Sequence, residues 1–247
     1  MTDNWIVSLS ARQLQDYRNR EPGTYFGEGG SLTEIEDAYR VSVKLSELRQ
    51  NSGDTRAGYK VGCTSPSIFE AFGIRGPVFG FLYAQELRAC GARLKSTDFR
   101  NLAIEAEMAI KVGQDLQVES VFPIIELHNL LFRGATNTLQ ELVANNCFNA
   151  GVVMPNAISN ESDAECIRLG LEINGEAIEE GHPWCFPGGA SESLSWISQR
   201  LGQYGLALTP GDIVLAGTNL GIHRVNPGDK ISVLLNAELR VESEVLQ

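Results

Sequence analysis

Residues 103–112 read Ala-Ile-Glu-Ala-Glu-Met-Ala-Ile-Lys-Val, a strict period of two. Such alternation specifies an extended strand, because successive side chains point to opposite faces of a sheet. Ile104, Ala106, Met108 and Ile110 take one face, and Glu105, Glu107 and Lys111 take the other. The texture of short, Gly-punctuated runs begins near Ala57 and continues to the C-terminus. Leu169–Ile178 reads as a hairpin around Asn174-Gly175, a pair suited to a type I′ turn. Thr209-Pro210-Gly211-Asp212 and Asn226-Pro227-Gly228-Asp229 are turns, each launching a strand. Proline presets φ at their second position and glycine supplies the positive φ of a type II turn.

Ahead of this β-rich region the periodicity is helical. Ser31-Leu32-Thr33-Glu34 has the pattern of a capping box. Ile35, Ala38, Val41, Leu45 and Leu48 follow at helical spacing, and Gly53 closes the helix. A shorter helix is expected over Ser10 to Arg20, with Leu14 and Tyr17 facing inward. Two more helices interrupt the strands, one capped at Thr138-Leu139-Gln140-Glu141 and one from Ser191 to Gln203. Segregated helices and a majority of strands give an α+β class. The expected division is a helical segment over 1–54 and a β-rich body over 55–247.

Composition narrows the function. The net charge of −11 opposes binding to a phosphate backbone, so nucleic acid is excluded as a partner. No apolar run approaches the ~18 residues of a membrane span. The N-terminus has no basic segment leading into an apolar stretch, so no secretory signal is expected. Five scattered cysteines (63, 90, 147, 166, 185) without a CxxC pair suit reduced thiols in a cytoplasm.

The chemistry-bearing residues are carboxylates. Glu105 and Glu107 lie ~7 Å apart on one strand face, by the rise of ~3.3 Å per residue, and can share a hard cation such as Mg²⁺, Mn²⁺ or Ca²⁺. The same spacing describes an ordinary strand with a wet side, because Lys111 continues that face. Glu126 sits inside the apolar run Phe122-Pro123-Ile124-Ile125-Glu126-Leu127, where a carboxylate needs a partner. A metal supplies one, and so does an Arg or His128. Lys60, in Gly58-Tyr59-Lys60-Val61-Gly62, is placed to point into a cleft or into solvent. Ser65-Pro66 starts a helix, with Ser65 as its N-cap. The three histidines (128, 182, 223) show no metal-ligand spacing to one another and read as core or surface residues. Glu179-Glu180 reads as solvated surface. There is no GxSxG, Walker loop or GxGxxG.

Taken in order, GYKVGCTS (58–65), FGFLYA (79–84), IEAEMAIKVGQDL (104–116), PIIELHN (123–129), VANNCFNAGVVM (143–154) and DIVLAGTNLG (212–221) resemble the 2-keto-4-pentenoate hydratase and 4-oxalocrotonate decarboxylase family. That family belongs to the fumarylacetoacetate hydrolase superfamily. The resemblance implies the superfamily's mixed β-roll, here behind a small helical N-terminal segment. It implies that Glu105, Glu107 and Glu126 ligate Mg²⁺ or Mn²⁺, and that the substrate is a 2-oxo or 2-hydroxydienoate chelating that ion. It implies proton transfer by Lys60, and substrate contact by Thr218 and, more weakly, Ser65. It also implies a homo-oligomer.

The sequence departs from the family pattern at Val78, Asn129 and Asn145, where acids are usual. The departures point away from plain hydration and toward decarboxylation, tautomerisation or cyclisation. Two other readings stand beside the lyase. Acylpyruvate hydrolysis needs a His-Glu pair on the helix at residues 66–70, which offers Glu70 and no His. A non-catalytic partner subunit would have no reason to keep three converging carboxylates.

Overall fold

The computed structural model describes residues 3–74, 76–158 and 167–247. Three helices open the chain: α1 (Asp3–Arg18), α2 (Thr24–Gly27) and α3 (Ile35–Asn51). Then follow β1 (Arg56–Gly62), α4 (Pro66–Phe72), β2 (Val78–Tyr83), β3 (Leu87–Ala89) and β4 (Ala92–Lys95). The long strands β5 (Leu102–Val112) and β6 (Val118–Asn129) precede α5 (Leu139–Ala144) and β7 (Asn149–Met154). The hairpin β8 (Leu169–Ile173) and β9 (Glu176–Gly181) leads to α6 (Gly189–Gly202). The chain ends with β10 (Ile213–Leu215), β11 (His223–Arg224), β12 (Lys230–Leu235) and β13 (Glu238–Leu246).

The strands make two sheets. One runs β2-β1-β10-β5-β6-β7-β3, with β11 also pairing to β5, and the other runs β4-β13-β12-β8-β9. The apolar face of β5 supplies Ile104, Met108 and Ile110 to a core shared with Leu171 of β8, Ile231 and Val233 of β12, and Val241 of β13. Its other face carries Glu105 and Glu107, then Ala109 in a smaller cluster with Phe122, Ile124, Leu215 and Leu82. Period two thus divides β5 as the sequence requires, and the small cluster seals the sheet beneath the carboxylates.

The turn expectations hold. Asn174 (φ 57°) and Gly175 (φ 78°) both take the positive φ of a type I′ hairpin. Gly211 (φ 90°) and Gly228 (φ 97°) close the two Pro-Gly turns. In them the Asp212 N–H donates to the Thr209 carbonyl at 3.0 Å, and the Asp229 N–H to the Asn226 carbonyl at 3.0 Å. At Gly58 (φ 149°) the approach of β10 leaves no room for a side chain, since a Cβ would meet the Ile213 carbonyl oxygen at 1.9 Å.

Several helical boundaries differ from expectation. The helix α3 begins at Ile35, with Glu34 at the N-cap and no side-chain cap, so Ser31 caps nothing. Leu32 is buried in the core ahead of the helix. The first helix starts at Asp3 rather than Ser10. Leu14 faces inward, whereas Tyr17 stays half exposed with its hydroxyl hydrogen-bonded to Glu86. Thr138 does cap α5 by accepting the Glu141 N–H at 3.2 Å. The Glu141 side chain turns away from the cap and accepts from the Arg133 and Gly134 amides.

The N-terminal helices are tied to the sheet by polar anchors. Arg49 of α3 is buried, 2.8 Å from Glu86 and 2.6 Å from Asp54, with its guanidinium 3.5 Å from the Tyr83 ring centre. Tyr39 stacks on Phe79 of β2 at 4.7 Å. The four described cysteines, 63, 90, 147 and 185, are free thiols, while Cys166 lies outside the described residues.

Candidate metal centre

The antiparallel register of β5 and β6 places Glu105 directly opposite Glu126, and Ala103 opposite His128. Because Glu126 and His128 are two apart on β6, both project from the face that carries Glu105 and Glu107. Glu105, Glu126 and His128 bring ligand-capable atoms within 4.8 Å of one another. His128 Nε2 lies 2.9 Å from Glu105 Oε2 and 3.0 Å from Glu126 Oε2. Glu107 is 1% exposed, accepts the Gly217 N–H and faces the charges of Glu126 and Glu105. The sheet therefore gathers the three glutamates singled out in the sequence. It adds His128, which corrects its reading as a core or surface residue. The spacing Glu126-x-His128 carried that signal, since period two puts both on one face.

Lys60 reaches the same cluster from β1. The short strand β10 pairs in parallel with β1 and antiparallel with β5, setting Lys60 beside Leu215 and Leu215 beside Ala109. Lys60 is 1% exposed, and its Nζ lies 2.5 Å from Glu126 Oε1. It also donates to the Cys147 carbonyl at 3.3 Å. That carbonyl is aimed by an uncommon backbone: Asn146, Cys147 and Phe148 all have left-handed φ (55°, 51° and 52°). Consecutive left-handed non-Gly residues cost ~1–2 kcal/mol each and persist only when their surroundings impose them. Asn146 imposes this turn through its side chain, which accepts the Phe81 N–H at 2.7 Å and donates to the Phe81 carbonyl at 3.0 Å. Nothing in the composition of VANNCF announced a left-handed turn.

The electrostatics follow from crowding in a dry setting. Burial drives the Glu107 carboxyl well above the usual carboxylate range, and the charges of Glu126 and Glu105 add to it. Burial likewise raises Glu105, against the pull of His128. Burial alone would raise Glu126 too, but the Lys60 ammonium and His128 outweigh it and hold that carboxyl below the usual range. The same pairing keeps Lys60 charged despite its burial. His128 is raised because Glu126 outweighs the desolvation that would neutralise it. The carboxylate oxygens suit a hard divalent cation of the Mg²⁺ or Mn²⁺ kind, which would offset their crowding, and His128 lies within reach as a further donor.

The cluster opens into a cavity of about 780 Å³. Thr218 and Ser65 both line it. The Thr218 hydroxyl accepts the Leu220 N–H at 3.1 Å, and its carbonyl takes the Thr64 hydroxyl at 2.6 Å. Ser65 caps α4 by accepting the Ile68 N–H at 3.4 Å. Glu180 is exposed as expected, while Glu179 is partly exposed at the cavity mouth. It lines the cavity, accepts the Gly221 N–H at 2.8 Å and lies 2.9 Å from His223 Nε2.

The residues that depart from the family pattern sit elsewhere. Val78 is buried in the core. Asn129 accepts the Arg100 and Asn101 amides at 3.0 Å each. Asn145 accepts from Gln13 at 3.1 Å and donates to the Glu141 carbonyl at 2.8 Å. All three have packing or backbone roles, and none is among the residues that line the cavity.

Comparison with known proteins shows what the whole chain is similar to. No family model matches the chain. It is 24% identical over 229 residues to a 2-keto-4-pentenoate hydratase of Paraburkholderia phymatum, covering 87% of each chain. It is 24% identical over 211 residues to a 4-oxalocrotonate decarboxylase of Pseudomonas putida, covering 80% of each. Among solved structures, the 4-oxalocrotonate decarboxylase from Pseudomonas putida G7, complexed with magnesium and adipate, superposes with a TM-score of 0.90 at 20% identity. That superposition covers 100% of this chain and 99% of the other. The chain is thus similar in sequence to these hydratases and decarboxylases over most of its length, and it shares the fold of the 4-oxalocrotonate decarboxylase.

Proposed function

We propose that the chain is a divalent-metal-dependent lyase acting on a 2-oxo or 2-hydroxydienoate, of the hydratase or decarboxylase kind. The observation that carries this reading is the buried convergence of Glu105, Glu107, Glu126 and His128 with Lys60 at the base of one cavity. Glu105, Glu107 and Glu126 would hold Mg²⁺ or Mn²⁺, with His128, 2.9 Å from Glu105 and 3.0 Å from Glu126, positioning those two carboxylates. The chemistry such a cation would supply when bound is Lewis-acid polarisation of the 2-oxo group.

The chain's own residues do the rest. Lys60 Nζ, fixed between Glu126 and the Cys147 carbonyl, moves the proton of the enol–keto exchange at the cavity wall. The Thr218 hydroxyl, and Ser65 at the start of α4, orient the substrate carboxylate. Burial of the cluster excludes water, which strengthens each of these interactions. Acylpyruvate hydrolysis is disfavoured, because Glu70 is exposed and absent from the cavity lining.

Calorimetric titration of metal-stripped protein with Mg²⁺ and Mn²⁺, with and without oxalate, tests the proposal. Saturable metal binding, tightened by oxalate, is the expected result, followed by water addition or carbon dioxide release from dienoates. Failure to bind either ion at about millimolar concentration, a free energy near −4 kcal/mol, would refute it.

A further inference from the structure

The cavity is much larger than the chemistry at its base requires. A five-carbon 2-oxo acid has about eight non-hydrogen atoms. At the ~30 Å³ that a water molecule claims in the liquid, these fill about 240 Å³. Most of the 780 Å³ therefore lies beyond such a head group.

The remaining space has an apolar lining. Ile68 and Phe72, four residues apart on α4, share one face of that helix and line the cavity. Phe132, from the segment after β6, lies 6.4 Å from the Phe72 ring and packs edge-on to Phe148 at 4.6 Å. Leu142 of α5 lines the cavity beside them. Ile68, Phe72, Phe132 and Leu142 are only half-buried, although each stands in a concave wall rather than on open surface. Such a wall gains most from an apolar guest. It also begins next to the acidic cluster: Phe148 directly follows Cys147, whose carbonyl holds Lys60.

We propose that this apolar wing is a subsite for a hydrocarbon chain or ring on the distal end of the 2-oxo acid, reaching about four or more carbons past the head group. The inference rests on the reading of the site as a 2-oxo acid centre. A distal carboxylate is the competing chemistry, and the guanidinium that lines the cavity, Arg224, is exposed. Glu179, which lines the same cavity, opposes a second anion.

Calorimetry on the Mn²⁺-loaded full chain tests this with oxalate, 2-oxobutanoate, 2-oxohexanoate, 2-oxooctanoate and 2-oxoadipate. Each buried methylene tightens binding by up to about fourfold, so 2-oxooctanoate should bind at least about tenfold tighter than 2-oxobutanoate. Phe132→Ala, or Ile68→Ala on the short helix should the first variant fold poorly, should reduce that ratio several-fold and leave oxalate binding unchanged. Firm oxalate binding with a flat chain-length series overturns the inference and spares the reading of the centre. Tighter binding of 2-oxoadipate than of 2-oxohexanoate overturns it in favour of a dicarboxylate. Absence of oxalate binding overturns the centre and the subsite together.

Discussion

Replacing Lys60 by Met removes the ammonium that neutralises Glu126 and keeps a similar apolar stem. Both partners are buried, at 1% and 2% exposure, and their charged atoms lie 2.5 Å apart. Removing one member of a buried ion pair leaves the other uncompensated and costs about 3–5 kcal/mol. Here Glu126 retains His128, so the lower end, about 3 kcal/mol, is expected in metal-free protein. For a chain of this size each kcal/mol moves the melting temperature by about 2–4 °C, giving a fall of about 6–12 °C. A bound divalent cation supplies the missing positive charge, so saturating Mn²⁺ should narrow the gap between variant and wild type. The double variant Lys60→Met/Glu126→Gln should recover part of the loss without metal, because no lone anion remains. The assay is thermal unfolding with a chelator and with Mn²⁺, alongside turnover, which Lys60→Met should abolish. A metal-free single variant within about 1 kcal/mol of wild type, the value of an exposed pair, would refute the buried-pair argument. A double variant no more stable than the single would do the same.

Other outcomes follow from the same geometry. Glu107→Gln should leave the fold intact and weaken Mn²⁺ binding by at least about tenfold, the range seen when a metal site loses a supporting group, as calorimetry would show. Asn146→Ala deletes two buried hydrogen bonds to Phe81. It should cost about 2–4 kcal/mol in denaturant unfolding and lower turnover, because the Cys147 carbonyl is no longer aimed at Lys60. Metal affinity should rise from about pH 5 to about pH 8, with protons released on binding, because ligands must be deprotonated. The sign follows from Glu105 and Glu107, whose raised carboxyls keep their protons above the usual value of 4.5 in the folded metal-free site. Their contribution to metal-free stability is present in acid and declines as pH climbs past that value, and raised His128 declines likewise above 6.5. Glu126, lowered, has the opposite sign: its contribution is present above about 4.5 and declines as pH falls below that value. Melting curves of metal-free protein against pH, and metal titrations in buffers of different ionisation enthalpy, check both.

The alternation of residues 103–112 was sufficient to place Glu105 and Glu107 on the face opposite Ile104, Met108 and Ile110, and the structure keeps that division. The Asn-Gly hairpin and both Pro-Gly turns were legible for the same reason: a residue's own steric limits decide them within four positions. Ser31 shows where local rules stop. Its capping pattern is sound, yet the helix starts at Ile35 and Leu32 goes to the core, so a cap worth ~1 kcal/mol did not set the boundary.

The site itself depended on pairings that no local rule contains. Lys60 meets Glu126 because β10, some 150 residues downstream, inserts between β1 and β5. His128 joins the cluster because the register sets Glu126 opposite Glu105 rather than one residue away, which would turn both side chains to the other face. The left-handed turn at Asn146–Phe148 exists because the Asn146 amide finds the Phe81 backbone, 65 residues earlier. The sequence by itself determined which residues share a strand face and where the chain reverses, since these are short-range steric properties. Only the tertiary structure decided which faces meet, because register and strand order minimise exposed apolar area and unpaired charge over the whole chain at once.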